Sequence, residues 1–334
     1  MVSRPWFPRS PLNWGHGATI VLLCATPSLI QAAEGPQIPS KVRIVASYGQ
    51  PLAHEGPIYL PDHQALFFTS NRLRRADGSQ YVVVSLFDVN SGKTTNLELT
   101  DLIPMANGAF RLKNGSIVVA MQGNLKQPAG LASFDLNSRK VTLLTKGFAG
   151  YQYNSPNDVV EAKDLSIWFT DPQYGYEQGF RPKPTIGNWV WRLDAMGRSQ
   201  RLLIDGLAKP NGIAFSRDHR YVYVTDSGYI AGNGKRNSLL PRTIYRYRVI
   251  DTPEGPFVTD RITFCVVTNG IPDGIKVDVQ DRVWAATGAG LEVFSQNGLP
   301  LAVIPIKGGV SNFALTDDGG AYLMGQTKIF RLDP

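Results

Sequence analysis

Residues 210–227 read PNGIAFSRDHRYVYVTDS: an amide and a glycine, a short apolar stretch, a polar turn, then a second stretch of aromatic and β-branched residues. Such a run is a pair of β-strands joined by a turn. The phrase recurs as HEGPIYLPDHQALFFTS from His54, ANGAFRLKNGSIVVAMQ from Ala106 and PNDVVEAKDLSIWFTDP from Pro156. It recurs again as PDGIKVDVQDRVWAAT from Pro272 and SNFALTDDGGAYLMG from Ser311. The leading polar residues are Glu55, Asn107, Asn157, Asn211, Asp273 and Asn312, spaced by 52, 50, 54, 62 and 39 residues. A third strand such as LASFDLN, VWRLDAM, IYRYRVI or LEVFSQN follows most units, and usually a fourth. Six units of four short strands predict an all-β, six-bladed β-propeller.

Closure is legible as well. The last unit ends in KIFRLDP and lacks a fourth strand, while Lys41–Ser47 (KVRIVAS) is a strand without a unit. Pairing the two would shut the ring and hide two sheet edges. The 33 glycines and 23 prolines are spread along the 334 residues, as expected of many short strands joined by turns.

The first 33 residues differ from the rest. Arg4 and Arg9 precede a mostly apolar stretch, Ala18–Ile30, followed by Ala32 and Ala33. This pattern predicts a secretory signal peptide over 1–33 and a single propeller domain over 34–334. The stretch falls short of the roughly 20 apolar residues of a membrane span. Secretion is expected. The net charge of +7 is dispersed, and its one dense cluster, Arg72, Arg74 and Arg75, sits in a predicted loop and reads as a solvated turn. No nucleic-acid role is assigned. Removal of the leader takes Cys24 with it and leaves Cys265 without an intrachain partner, so a disulfide framework is excluded.

In a propeller blade the first strand lies innermost, so the six leading residues ring one end of the axial channel. Singly, Asn-Gly or Asp-Gly is more often a turn than a ligand. Two carboxylates and four amides converging on one channel would be costly to bury without partners. A hard cation resolves this: calcium takes carboxylate and amide oxygens, whereas the absence of His and Cys from the ring disfavours zinc. The loops after the second strands overhang this ring. Pro172–Gly187 carries Tyr174, Tyr176 and Phe180, Ser227–Pro241 is long and polar, and Tyr151 and Tyr153 precede Asn157 on the same side. Tyr153 and Tyr174 are candidate substrate contacts in an aromatic lid; loop packing is the alternative. Asp171 and Asp226 end second strands, each a turn cap or a substrate contact. His54 adjoins Glu55 and reads as a rim or packing residue rather than a base.

The segments MANGAF, YNSPNDVV, WFTDPQYGY, GFRPKP, PNGIAFS, YVTDSG and IPDGIKVD, in this order, resemble the senescence marker protein/gluconolactonase family and its lactonohydrolase-like branch. The resemblance covers residues 45–333. It implies one catalytic divalent metal on the axis, held by Glu55, Asn157, Asn211 and Asp273, with Asn107 and Asn312 as outer or substrate contacts. It further implies a calcium-dependent hydrolase that opens a lactone or related ester, with Asp273 activating water or attacking directly. A second, structural calcium and a monomeric state are also expected. Two other functions compete: a natural-product enzyme using the same pocket without hydrolysis, and a binding propeller without catalysis.

Overall fold

Each repeated phrase folds into the inner two strands of an antiparallel sheet, and the two strands that follow complete a blade. Blade 1 is Glu55–Leu60, Ala65–Thr69, Val84–Asp88 and Thr94–Asn96; blade 2 is Ala106–Arg111, Ile117–Met121, Gly130–Phe134 and Val141–Thr145. Blade 3 runs from Val159–Glu161 through Ile167–Asp171 and Trp189–Leu193 to Gln200–Ile204. Blade 4 runs from Pro210–Phe215 through Tyr221–Asp226 and Thr243–Ile250 to Phe257–Val266. Blade 5 is Ile275–Val277, Val283–Thr287, Gly290–Phe294 and Pro300–Pro305. The computed structural model describes residues 38–334, which form one compact unit. The leader expected over 1–33 lies outside the described residues.

Blade 6 is closed as the sequence predicts. Asn312–Leu315, Ala321–Met324 and Lys328–Leu332 take Val42–Ser47 as their outermost strand, with Val42 opposite Leu332 and Ser47 opposite Lys328. The edge of Lys328–Leu332 that would otherwise stand open is thereby paired.

The core is divided into six apolar clusters, one at each junction between neighbouring blades. Phe67 of blade 1 packs with Phe134 of blade 2, Trp191 of blade 3 with Leu131 of blade 2, and Met324 of blade 6 with Phe68 of blade 1. A fully buried aromatic or aliphatic side chain contributes about 1.5–3 kcal/mol, so the ring is held by its junctions and the axis is left free for polar groups. Three features rise over one end of the axis. They are the hairpin Leu73–Arg74/Gln80–Tyr81, the helical turn Tyr174–Glu177 and the loop 227–241.

Candidate functional site

The polar ring is built by irregularity at the start of the inner strands. Pairing slips between Glu55 and Ile58, between Ala106 and Ala109, and between Pro210 and Ile213. Such bulges re-aim side chains, and these re-aim Glu55, Asn107 and Asn211. The glycine after four of the ring residues has a separate cause. A Cβ on Gly56, Gly108 or Gly212 would lie 2.4–2.6 Å from a backbone oxygen of the next blade's ring residue, and one on Gly274 would lie 2.3 Å from the Asn312 side chain. The inner strands approach too closely at the axis for any side chain.

Hydroxyls and carboxylates then lock the ring. Thr69, Thr170 and Thr225, near the ends of the second strands, donate from Oγ1 to the carbonyls of Asn107, Asn211 and Asp273 at 3.1, 2.6 and 3.0 Å, each latching one blade to the next. The buried Asp171 carboxylate accepts the backbone N–H groups of Asn154 and Ser155 at 3.0 and 2.8 Å. That of Asp226 accepts those of Ala208 and Lys209 at 2.9 and 2.8 Å. Both are turn caps that fix the loop entering the inner strand, the first of the two readings open for them in the sequence.

Glu55, Asn107, Asn157, Asn211 and Asp273 line one cavity of about 250 Å³, together with His54, Arg72 and Tyr174. Burial raises the Glu55 carboxyl well above the usual carboxylate range, and the neighbouring Asp273 adds to the shift. Burial pushes Asp273 up to about 7, against a hydrogen bond from Asn211. Asp158, beside Asn157 in a position four other blades give to glycine, is also raised by burial, and the Lys276 charge opposes the shift. Its oxygens accept the N–H groups of Val159 and Ile213 at 2.9 and 3.2 Å.

Asn157 Oδ1 is buried without a donor among the described residues. An orphaned amide oxygen beside crowded carboxylates is costly on its own and fits a hard cation. Among the described residues no three His, Cys, Asp or Glu side chains cluster to hold a metal. The donor set is instead two carboxylates plus amide oxygens, which suits calcium better than zinc or copper.

The expected substrate contacts separate. Asn107 and Tyr174 line the cavity. Tyr174 is held there by the helical turn it opens: Glu177 of that turn pairs with Lys209 at 2.8 Å and accepts the N–H of Gly232. Tyr153 is 1% exposed and packs edge-on against Phe169 and Trp191 in the core between blades 2 and 3, and its side chain does not line the cavity. Asp226 is consumed by its cap. Asn312 is turned to Glu55, donating from Nδ2 to Oε2 at 2.7 Å, and orients that carboxylate. The aromatic lid is reduced to one residue, since Phe180 is in the core and Tyr151 and Tyr176 are exposed away from the cavity lining.

Sequence reasoning missed Asp158, the threonine latches and the far wall of the cavity. The arginine run divides: Arg75 lies over Tyr81 and faces Asp101, as a solvated turn would, but Arg72 lines the cavity. The only sequence signal for that difference is distance from the end of the second strand, Thr69.

Residues 53–323 match the family model described as SMP-30/Gluconolactonase/LRE-like region. A lactonohydrolase of Aspergillus oryzae, oryL, is 29% identical over 285 residues, 78% of this chain. The match spans 63% of that relative, less than two thirds of its length. A gluconolactonase of Zymomonas mobilis is 29% identical over 263 residues, covering 75% of this chain and 68% of the relative. Among solved structures, a gluconolactonase of Xanthomonas campestris superposes with a TM-score of 0.69 at 26% identity, over 90% of this chain and 97% of the other.

Proposed function

From the premise that the chain belongs to the SMP-30/gluconolactonase/LRE-like family, we propose that it is a calcium-dependent hydrolase that opens a lactone. The observation that carries this reading is the convergence of Glu55, Asp273 and the donorless Asn157 Oδ1 on one cavity. Glu55, Asn157, Asn211 and Asp273 would hold the ion. Bound there, calcium supplies a Lewis acid for the lactone carbonyl.

The chain's own residues do the rest. Asn312 holds the Glu55 carboxylate in place by its hydrogen bond. Asn211 bonds the Asp273 carboxylate and orients it at the cavity surface. Asp273 takes the proton of the attacking water and passes it to the leaving ring oxygen, or attacks the carbonyl itself to form an anhydride that a water then hydrolyses. In the second case that water's protons go to the ring oxygen and the freed acid. Either route breaks the ring C–O bond and ends in a hydroxy acid. Tyr174 and Asn107 flank the substrate, and the braced loops around Glu177 limit water at the mouth. Secretion with removal of residues 1–33 belongs to the same proposal.

The test is a pH-stat assay on a panel of lactones, with calcium content measured on the same preparation. Stoichiometric acid release that chelation abolishes and calcium restores supports the reading. A metal-loaded protein that opens no lactone sinks it.

A further inference from the structure

The wall of the cavity facing away from blades 3 and 4 carries a hydrogen-bond chain with a fixed direction. The backbone N–H of Arg72 can only donate, and it donates to Asn71 Oδ1 at 2.7 Å. Asn71 Nδ2 therefore faces Gln326, donating to Oε1 at 2.9 Å. That leaves Gln326 Nε2 as the donor to His54 Nδ1, also at 2.9 Å. Nδ1 is thus an acceptor, and the imidazole proton sits on Nε2. Nε2 has no partner among the described residues, and His54 lines the cavity. Gln326 holds this chain with its own backbone in the left-handed region (φ 66°), a conformation that costs a non-glycine residue and persists where surrounding structure over-determines it.

Arg72 lines the same cavity, near enough for its charge to act on His54. It is half-buried and is the only cationic side chain among the described residues lining the cavity. It makes no ion pair and no side-chain hydrogen bond with any described residue. The three buried arginines among the described residues are paired or saturated: Arg192 with Asp164, Arg331 with Asp318, and Arg181 with carbonyls of four residues. The charge count makes the excess explicit. Glu55 and Asp273 would balance a divalent ion, and Lys276 faces Asp158. Arg72 is left over, and a guanidinium partly withdrawn from water is poorly placed without an anion.

We propose that Arg72 and the Nε2–H of His54 form an anion-recognising wall, and that the substrate is a lactone bearing a free carboxylate. This rests on the lactonase reading, with the ring carbonyl directed to Asp273 and the carboxylate to the wall of Arg72 and His54. A fork-shaped guanidinium and one further N–H suit a carboxylate's two oxygens.

Two matched pairs test it. Gluconolactone and glucarolactone, and γ-butyrolactone and its ring-carboxylated counterpart, differ mainly in the carboxylate. The wild-type kcat/KM is expected to favour the carboxylated member by about 10- to 100-fold, through KM. Arg72→Met should collapse that ratio and Arg72→Lys should restore part of it. His54→Gln should reduce it several-fold.

Pyroglutamate and pyrrolidinone, lactams of the same shape, give a readout free of hydrolysis. Calorimetry should find pyroglutamate bound more tightly, by an Arg72-dependent margin. If no lactone is opened but that margin persists, the anion wall stands and the lactonase reading falls. If neutral lactones are opened at least as well and Arg72→Met leaves the ratio unmoved, the wall is wrong and the lactonase reading survives.

Discussion

Blades 3 and 4 and blades 6 and 1 form facing walls of the same cavity, yet they are held by different chemistry. On the first wall, buried carboxylates clamp backbone: Asp171 and Asp226 each accept two successive N–H groups, and Thr170 latches blade 3 to blade 4. On the second, neutral amides pass one hydrogen bond along from Asn71 to Gln326 to His54, and Ser311 Oγ holds the His54 carbonyl at 2.7 Å. The first wall carries two of the proposed cation ligands, Asn157 and Asn211, and charged caps on backbone fix the segments that lead into them. A site for a variable organic group needs only a defined donor direction, which amides provide at less cost to burial.

The largest expected effect lies beside the first wall, at the residue that leads into blade 5. Asp273→Asn keeps an oxygen but loses the charge and any basic or nucleophilic role. Turnover should fall by about 10³-fold or more while the far-ultraviolet spectrum is unchanged and calcium binding weakens only moderately. A variant with near-wild-type activity would remove Asp273 from the chemistry.

Next in size is Asp171→Ala, which strands two buried N–H groups and should cost about 2–4 kcal/mol in denaturant unfolding. A loss below about 0.5 kcal/mol would show that the cap is idle and the walls are alike.

Asn157→Ala should raise the calcium dissociation constant by about 10- to 100-fold, and excess calcium should restore turnover by mass action. Asn312→Ala, one bond further out, should leave calcium stoichiometry unchanged in the same titration. Equal losses from both would mean that the ring has no inner and outer members.

The smallest effect belongs to the amide wall. Gln326→Gly removes a left-handed side chain together with its link to His54. Stability should stay within about 1 kcal/mol while KM rises a few-fold and kcat holds. A fall in kcat alone would place His54 nearer the reacting bond than the wall allows.

The same division explains what could be read in advance. The six-unit phase, the closing strand and the ring residues all recur at fixed places in a repeat, and recurrence is visible in a sequence. The caps are half visible, because an Asp at the end of a second strand is a recognisable position without a unique role. Asp158 was hidden by the assumption that a glycine position is a turn position, whereas close approach of the inner strands decides it. The His54–Gln326–Asn71 chain joins residues 272 and 255 positions apart through uncharged amides, and no periodicity marks such a pair. Tyr153 shows the opposite error: a tyrosine on the correct side of its strand is drawn into the junction with Trp191, because burying an aromatic ring outweighs exposing it at the mouth.

The closing strand has a consequence in time. Arg43 and Asp333 meet across blade 6 from positions 290 residues apart. A ribosome emitting this chain releases Val42–Ser47 among the first propeller residues and Lys328–Leu332 among the last, so the early strand must wait unpaired for nearly the whole of synthesis. Blades 1 to 5 can form in order as they emerge, each from local hairpins. The final join is the most non-local strand pairing among the described residues, and non-local joins are slow. Until it is made, a β-strand and an open sheet edge are both available to other chains, and the nascent protein is most exposed to aggregation just before blade 6 closes.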